Sequence, residues 1–176
     1  MKPDEIIPLL EAQFGAKITG KNLENVDPWV EVEPSALLEV CLFLRADERL
    51  QFDFLQCISG VDYCEPDPKK AKRAGFEPHL EVVYHLYSFR QRHQIVVKAL
   101  LPRWKDNVEG ELPEVPSVTG IWDTANWHER EVYDLSGVRF VGHPNLRRIL
   151  CPEDWVGYPL RKDYEMPLEY HGIRGK

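Results

Sequence analysis

With 176 residues the chain suits one domain whose folding buries about two thirds of the surface its unfolded form exposes, so a true core is available without disulfides or metal. The net charge of −7 excludes the clustered Lys and Arg excess that nucleic-acid phosphates require. No apolar run approaches the ~20 residues that span a bilayer, which leaves any membrane contact to partners.

Asp4 is placed to cap a first helix in which Ile6, Ile7, Leu10 and Phe14 share one side, and Gly15 stands where a C-terminal cap belongs. Trp29, Val30 and Val32 predict a strand. Pro34-Ser35 leads into a second amphipathic helix through Leu37, Leu38, Cys41 and Leu44, closed by Ala46-Asp47. Phe52, Phe54, Leu55, Ile58 and Val61 form an apolar segment of mixed period that fits strand or helix. Residues 65 to 78 turn polar around Pro66, Pro68 and Pro78, and their run Lys69-Lys70-Ala71-Lys72-Arg73 reads as a solvated loop before it reads as a patch for an acidic partner.

Leu80 to Phe89 and Gln94 to Leu101, joined by Arg90-Gln91-Arg92-His93, predict a β-hairpin. In its second strand Ile95, Val97, Ala99 and Leu101 make one wholly apolar face, which the two N-terminal helices are expected to cover. Beyond Pro113 and Pro116, Ser117 or Thr119 is placed to cap a helix over about 118–135 that carries Ile121, Trp122, Ala125, Val132 and Leu135 and stops at Gly137. Trp122 and Trp127 on it read as core and subunit-contact aromatics. Val138-Arg139-Phe140-Val141 predicts a short strand.

The fold expected is α+β: a two-layer domain of helices on a mixed sheet over 1–142, then an extended, largely irregular tail over 143–176 broken by prolines 144, 152, 159 and 167. The charge follows this partition. The tail holds 6 of the 22 Lys and Arg but 5 of the 29 Asp and Glu, so it is net +1 on an acidic domain. It also carries Leu146, Ile149, Leu150, Trp155, Val156, Tyr158, Leu160 and Tyr164, too much apolar surface for a disordered linker. Such a tail needs a surface to lie on, expected to be a second protein, with Arg161 as an anchor.

On the predicted helix, Glu131 and Asp134 place two acids near the C-terminal end, against the helix dipole, at a cost of a few tenths of a kcal/mol each. Arg147, Arg148, Arg161 and Lys162 are the cations available to offset it, and at least one of Glu129, Glu131 or Asp134 is expected to pair with Arg147 or Arg148. Other chemistries fit the spacing less well. Glu129 and Glu131, two apart, point to different sides of a helix and do not make an acid/base pair on one atom. His128, Glu131 or Asp134, and His143 offer no His-x-x-x-His or Glu-x-x-His metal pair. Cys41, Cys57, Cys64 and Cys151 include no CxxC, and Cys57 and Cys64 read as buried thiols rather than cluster ligands. Gly137 and Gly142 form no phosphate loop, so no NAD or flavin site is expected here. Met1 to Glu5 begin no signal-peptide apolar run, and with the unpaired cysteines this points to a reducing, cytoplasmic-type compartment.

Glu129-Arg130-Glu131, Asp134-Leu135, Gly137, Phe140, His143-Pro144, Arg147-Arg148-Ile149-Leu150, Gly157 and Pro159-Leu160-Arg161-Lys162-Asp163-Tyr164 closely resemble the signature of the C subunit of respiratory complex I. That family is the 30-kilodalton subunit of proton-pumping NADH:quinone oxidoreductase, and the sharp likeness covers about residues 117–164. Ser136, where the family usually has a large apolar residue, and Tyr158, where it often has His, depart from it. The resemblance implies a cofactor-free component of the peripheral arm near the quinone end, peripheral on the cytoplasmic side of the bacterial cell membrane. FMN and Fe–S clusters are then expected in partner subunits. Its tail is expected to wrap the D subunit, the large component that resembles a hydrogenase large subunit, with the B and I subunits nearby. The form looks stand-alone rather than fused to the D subunit. Glu129, Arg130, Glu131, Asp134, His143, Pro144, Arg147, Arg148, Arg161, Lys162, Asp163 and Tyr164 would carry signature and assembly contacts, with no catalysis from this chain alone. Similar subunits of membrane-bound hydrogenases and of ferredoxin- or deazaflavin-linked dehydrogenases are the alternative.

Overall fold

Pro3 begins the first helix, α1 (Pro3–Phe14), in the computed structural model, which describes residues 1–174. Its ring pre-sets a helical φ, and the Lys2 N–H just before it donates to Glu5 Oε2 at 2.8 Å. Asp4 therefore lies inside the first turn instead of capping it. Ile6, Ile7, Leu10 and Phe14 are buried as their spacing requires, and Gly15 ends the helix with φ 54°. β1 (Ile18–Asn22) and β2 (Trp29–Val32) pair antiparallel, then α2 (Leu37–Ala46) buries Leu37, Val40, Cys41 and Leu44.

The ambiguous apolar segment is a strand, β3 (Phe54–Tyr63), followed by a one-turn helix α3 (Pro68–Ala71) in the polar loop. The hairpin is β4 (His79–Ser88) and β5 (His93–Leu101). The five strands lie in the order β1-β2-β5-β4-β3, antiparallel except for β2 beside β5. Register puts Val30, Val97, Tyr84 and Ile58 in one row, all buried in the same cluster as the apolar sides of α1 and α2. The core is thus one helical layer on one sheet face, and the fold is the expected α+β with a mixed sheet.

The signature helix starts later than the spacing suggested. β6 (Glu114–Pro116) pairs parallel with β7 (Arg139–Val141), residues 118–124 form turns, and α4 runs Ala125–Ser136. Ser117 does not cap it, because the Ser117 hydroxyl and the Val118 N–H both donate to the Glu129 carboxylate at 2.7 Å. Trp122 precedes the helix and buries its ring in the core, its indole N–H donating to the Phe52 carbonyl at 3.0 Å. Gly137 ends α4 in the left-handed region, as expected of a C-terminal glycine.

The tail is irregular apart from a short ladder of β8 (Glu169–Tyr170) and β9 (Ile173–Arg174). Its residues 175 and 176 lie outside the described residues. Residues 148–163 lie on a surface of this chain rather than only on a foreign one. The end of α4, β3 and the Arg103 segment bind them through polar groups, which an argument from spare apolar area alone overlooks.

α4 reaches β3 through a pair of small residues. A Cβ placed on Gly60 would stand 2.7 Å from Ser136 Oγ and 3.0 Å from Val132 Cγ1, so Ser136, the departure from the family pattern, is matched to Gly60. Gly60→Ala should therefore cost about 1–3 kcal/mol in urea unfolding, and Ser136→Leu more, through the same overpacking. An unchanged midpoint in Gly60→Ala would show that this contact has slack.

Candidate functional site

Asp134 is fully buried on the last turn of α4 and its carboxylate gathers four donors. Oδ2 accepts from the backbone N–H groups of Ile149, Leu150 and Cys151 at 2.9, 2.7 and 2.9 Å. Oδ1 accepts from Arg148 Nη1 at 2.8 Å, and the same nitrogen reaches the Asp134 carbonyl at 3.0 Å. Burial pushes this carboxyl up, but the backbone donors and Arg148 outweigh it and hold it below the ordinary aspartate range. Arg148 also donates through Nη2 to the Gly157 carbonyl at 2.9 Å. The expected acid–arginine pair is therefore Asp134–Arg148, and it is intramolecular.

Arg161 answers the other negative feature of the helix end. Its Nε and Nη2 donate to the carbonyls of Ser136 and Gly137 at 2.9 and 3.1 Å, and Nη1 donates to that of Arg103 at 3.0 Å. The first two are carbonyls that helix geometry leaves without an intrahelical partner. The guanidinium lies over the Trp104 ring, 3.7 Å from its centroid, and the residue is buried. The Tyr158 ring meanwhile covers Gly137, where an added Cβ would meet ring carbons at 2.7 to 2.8 Å.

A third joint was missed in the sequence. Arg103 donates to both Asp62 oxygens at 2.9 Å and to Asp163 at 2.7 and 3.0 Å, while the Lys162 N–H donates to Asp62 Oδ2 at 2.9 Å. The Arg103 hydrogen bonds hold Asp163 below the usual carboxylate range. Asp62 is the next-to-last residue of β3 and Arg103 follows β5, 41 positions apart in the chain, with 60 from Arg103 to Asp163, so no local pattern announces the cluster.

Glu129 is buried and pairs with no arginine among the described residues. Among these it accepts only from Ser117 and Val118, and burial pushes its carboxyl up to about 7 against those two hydrogen bonds. Arg130 is buried along α4, stacked on Trp127 at 4.1 Å and donating to the Asn126 carbonyl at 3.1 Å. His143 accepts at Nδ1 from the Asn145 N–H at 2.9 Å, so its Nε2 donates to the Asn126 carbonyl at 3.0 Å, in the turn with exposed Pro144. Tyr164 packs its ring on Gly157, and its hydroxyl is buried without a partner among the described residues. Glu131, Arg147 and the Lys162 side chain are exposed and make no ion pair among the described residues.

The signature residues thus divide into an inner set that fixes the tail and an outer set that faces away. Fold and site together define an α+β module whose last helix clamps a proline-broken tail. A family model described as the respiratory-chain NADH dehydrogenase 30 Kd subunit matches residues 30–170, and the chain belongs to that family. It is 44% identical over 153 residues to the C subunit of NADH-quinone oxidoreductase from Chloroherpeton thalassium, covering 86% of this chain and 52% of that relative, so it spans about half of the latter's length. To the corresponding C subunit from a Roseiflexus species it is 43% identical over 164 residues, covering 93% of this chain and 84% of the relative. Among solved structures, a chain of the membrane-bound sulfane sulfur reductase, an archaeal respiratory membrane complex, superposes with TM-score 0.69 at 25% identity, over 93% of this chain and 85% of that one.

Two stability measurements check the site. Arg148→Ala should destabilise the isolated chain by roughly 2–4 kcal/mol in urea, because Asp134 stays buried with only its backbone donors. Glu129 titrates in the opposite sense to a salt-bridged acid: its folded pKa, about 7, is above the ordinary value of 4.5 taken for the unfolded chain, so the folded state holds the extra proton. Its contribution is therefore full below pH 4.5 and is lost as pH rises through about 7. The wild type should lose up to about 3 kcal/mol across that window from this group, and Glu129→Gln should flatten the slope. Equal slopes in the two proteins would refute the assignment.

Proposed function

We propose that the chain is a non-catalytic structural and assembly component of the peripheral arm of a proton-translocating NADH:quinone oxidoreductase. In this reading it docks the D subunit at the quinone site, with the B and I subunits adjacent, on the cytoplasmic side of the membrane. Among the described residues no helix is long and apolar enough to cross a membrane, so attachment runs through those partners. Its role is to hold the arm together while other subunits, with their FMN and Fe–S clusters, pass electrons from NADH to quinone.

The observation that carries this reading is the family match across 30–170, which includes both the clamp and the tail. The outward residues support it. Among the described residues Arg147 and Lys162 stand exposed with no acid paired to their side chains, and Leu150, Val156 and Leu160 expose 61, 85 and 56% of their surface on the same tail. Apolar side chains beside unpaired cations are what an interface with an acidic partner uses. The Cys41 thiol is buried and burial pushes it up, which opposes thiolate ligation of a metal. The sulfane sulfur reductase likeness favours a second reading, the same module in an assembly with another electron donor, but at 25% identity against 43–44% it is the weaker one.

Affinity purification from the native membrane should recover this chain with flavin and Fe–S subunits, and the purified assembly should oxidise NADH. Recovery of the chain as a lone soluble monomer sinks the proposal, and turnover with another donor but not NADH selects the second reading. Arg147→Glu should leave the unfolding midpoint of the isolated chain within about 0.5 kcal/mol of wild type while lowering the yield of assembled complex.

A further inference from the structure

β3 is the outer strand of the sheet, hydrogen-bonded on one side only, to β4. It runs ten residues and contains no Lys, Arg or Pro, the residues by which exposed edges are commonly protected. Among the described residues, no backbone partner outside the sheet is made by Gln56 to Tyr63; the bonds to this strand from outside the sheet are from Thr124 Oγ1 to the Leu55 carbonyl, at 3.2 Å, and from Arg103 and the Lys162 N–H to the Asp62 carboxylate. A bulge between Leu55 and Cys57 and the buried, paired Asp62 interrupt this edge near its two ends, and the stretch between them stays half-bonded without a cation or proline.

The space beside it has the form of a trough. Two clefts, of about 250 and 220 Å³, lie along β3: the first between Phe54-Leu55 and the turn at Asp123-Thr124, the second between Ile58-Ser59-Gly60 and the Glu131 side of α4. Asp123 and Glu131 are exposed and without ion-pair partners among the described residues. Asp123 lies in the turn before α4 and Glu131 on the helix, so each cleft has one exposed acid along its side.

We propose that this trough receives an extended, basic segment of a partner protein, which adds to β3 as a sixth strand. Backbone groups of β3 would give the affinity, and the exposed acids Asp123 and Glu131, one at each cleft, would read the side chains. The segment is therefore expected to carry two Lys or Arg, one for the acid at each cleft. A second copy of this chain does not suit the trough. Its β3 would bring Asp62 and no cation, and its own Asp123 and Glu131 would face the same acids.

This inference rests on the proposed membership of a multi-subunit complex, and its test separates the two. Hydrogen exchange is measured for β3 in the isolated chain and in the complex purified from membranes, with a photo-crosslinking residue at exposed Ser59 in a parallel preparation. The outward amides between Gln56 and Asp62 should exchange at least about tenfold more slowly in the complex. The crosslink should map to a peptide of another subunit that contains Lys or Arg, and Asp123→Lys with Glu131→Lys should abolish both signals. β3 amides as open in the complex as in the free chain overturn the inference, as does a crosslink between two copies of this chain or protection that survives the charge reversal. Failure of the chain to co-purify with any other protein of the complex counts instead against the proposed function.

Discussion

The end of α4 concentrates negative charge that the helix cannot neutralise by itself. The carbonyls of Ser136 and Gly137 lie where helical hydrogen bonding stops, and Asp134, an acid on the unfavourable side of the dipole, is buried in the same last turn. Leaving these groups dry and unpaired would cost several kcal/mol, more than any single apolar contact of the tail returns. Arg148 and Arg161, together with three successive backbone N–H groups, meet that demand. The tail's path follows from it: it turns at Asp134, crosses Gly137 under Tyr158, and reaches β3 at Asp62.

The geometry also explains why the tail has so little regular structure. Its prolines deny it helix, and its backbone donors are committed one by one to side-chain acids, as at Asp134 and Asp62. A segment fixed by point contacts of this kind is ordered without being a strand or helix. Small residues make the approach possible, since Gly60 against Ser136 lets α4 sit close to β3, and Gly137 leaves room for the Tyr158 ring.

Much of this was legible in the sequence and some was not, for identifiable reasons. α1, α2 and the β4–β5 hairpin follow their apolar periods closely. β3 was ambiguous because a bulge between Leu55 and Cys57 shifts the alternation, so that Leu55 and Ile58, three apart as in a helix, both face the core. β1 carries little apolar signal because it is the other edge of the sheet and mostly exposed. The Asp134–Arg148 pair was readable because an acid at a helix end calls for a cation. The Arg103–Asp62–Asp163 cluster was not, since chain topology alone brings its members together. Ser117 looked like a helix cap and serves instead as a donor to buried Glu129, a tertiary contact outcompeting a local one.

The division between inner and outer charges bears on how such a module meets other proteins. Arg103, Arg148 and Arg161 are spent on intramolecular partners, and withdrawing any of them to serve an interface would strand Asp62, Asp134 or the helix-end carbonyls in a dry setting. A partner therefore has no favourable way to recruit them. Arg147 and Lys162 on the tail, and Asp123 and Glu131 beside β3, carry no such obligation, and the two groups are of opposite sign. A surface with cations on the tail and acids along a free strand edge favours two different contacts, one acidic and one basic, over a single self-complementary patch. That asymmetry suits a protein held between unlike neighbours.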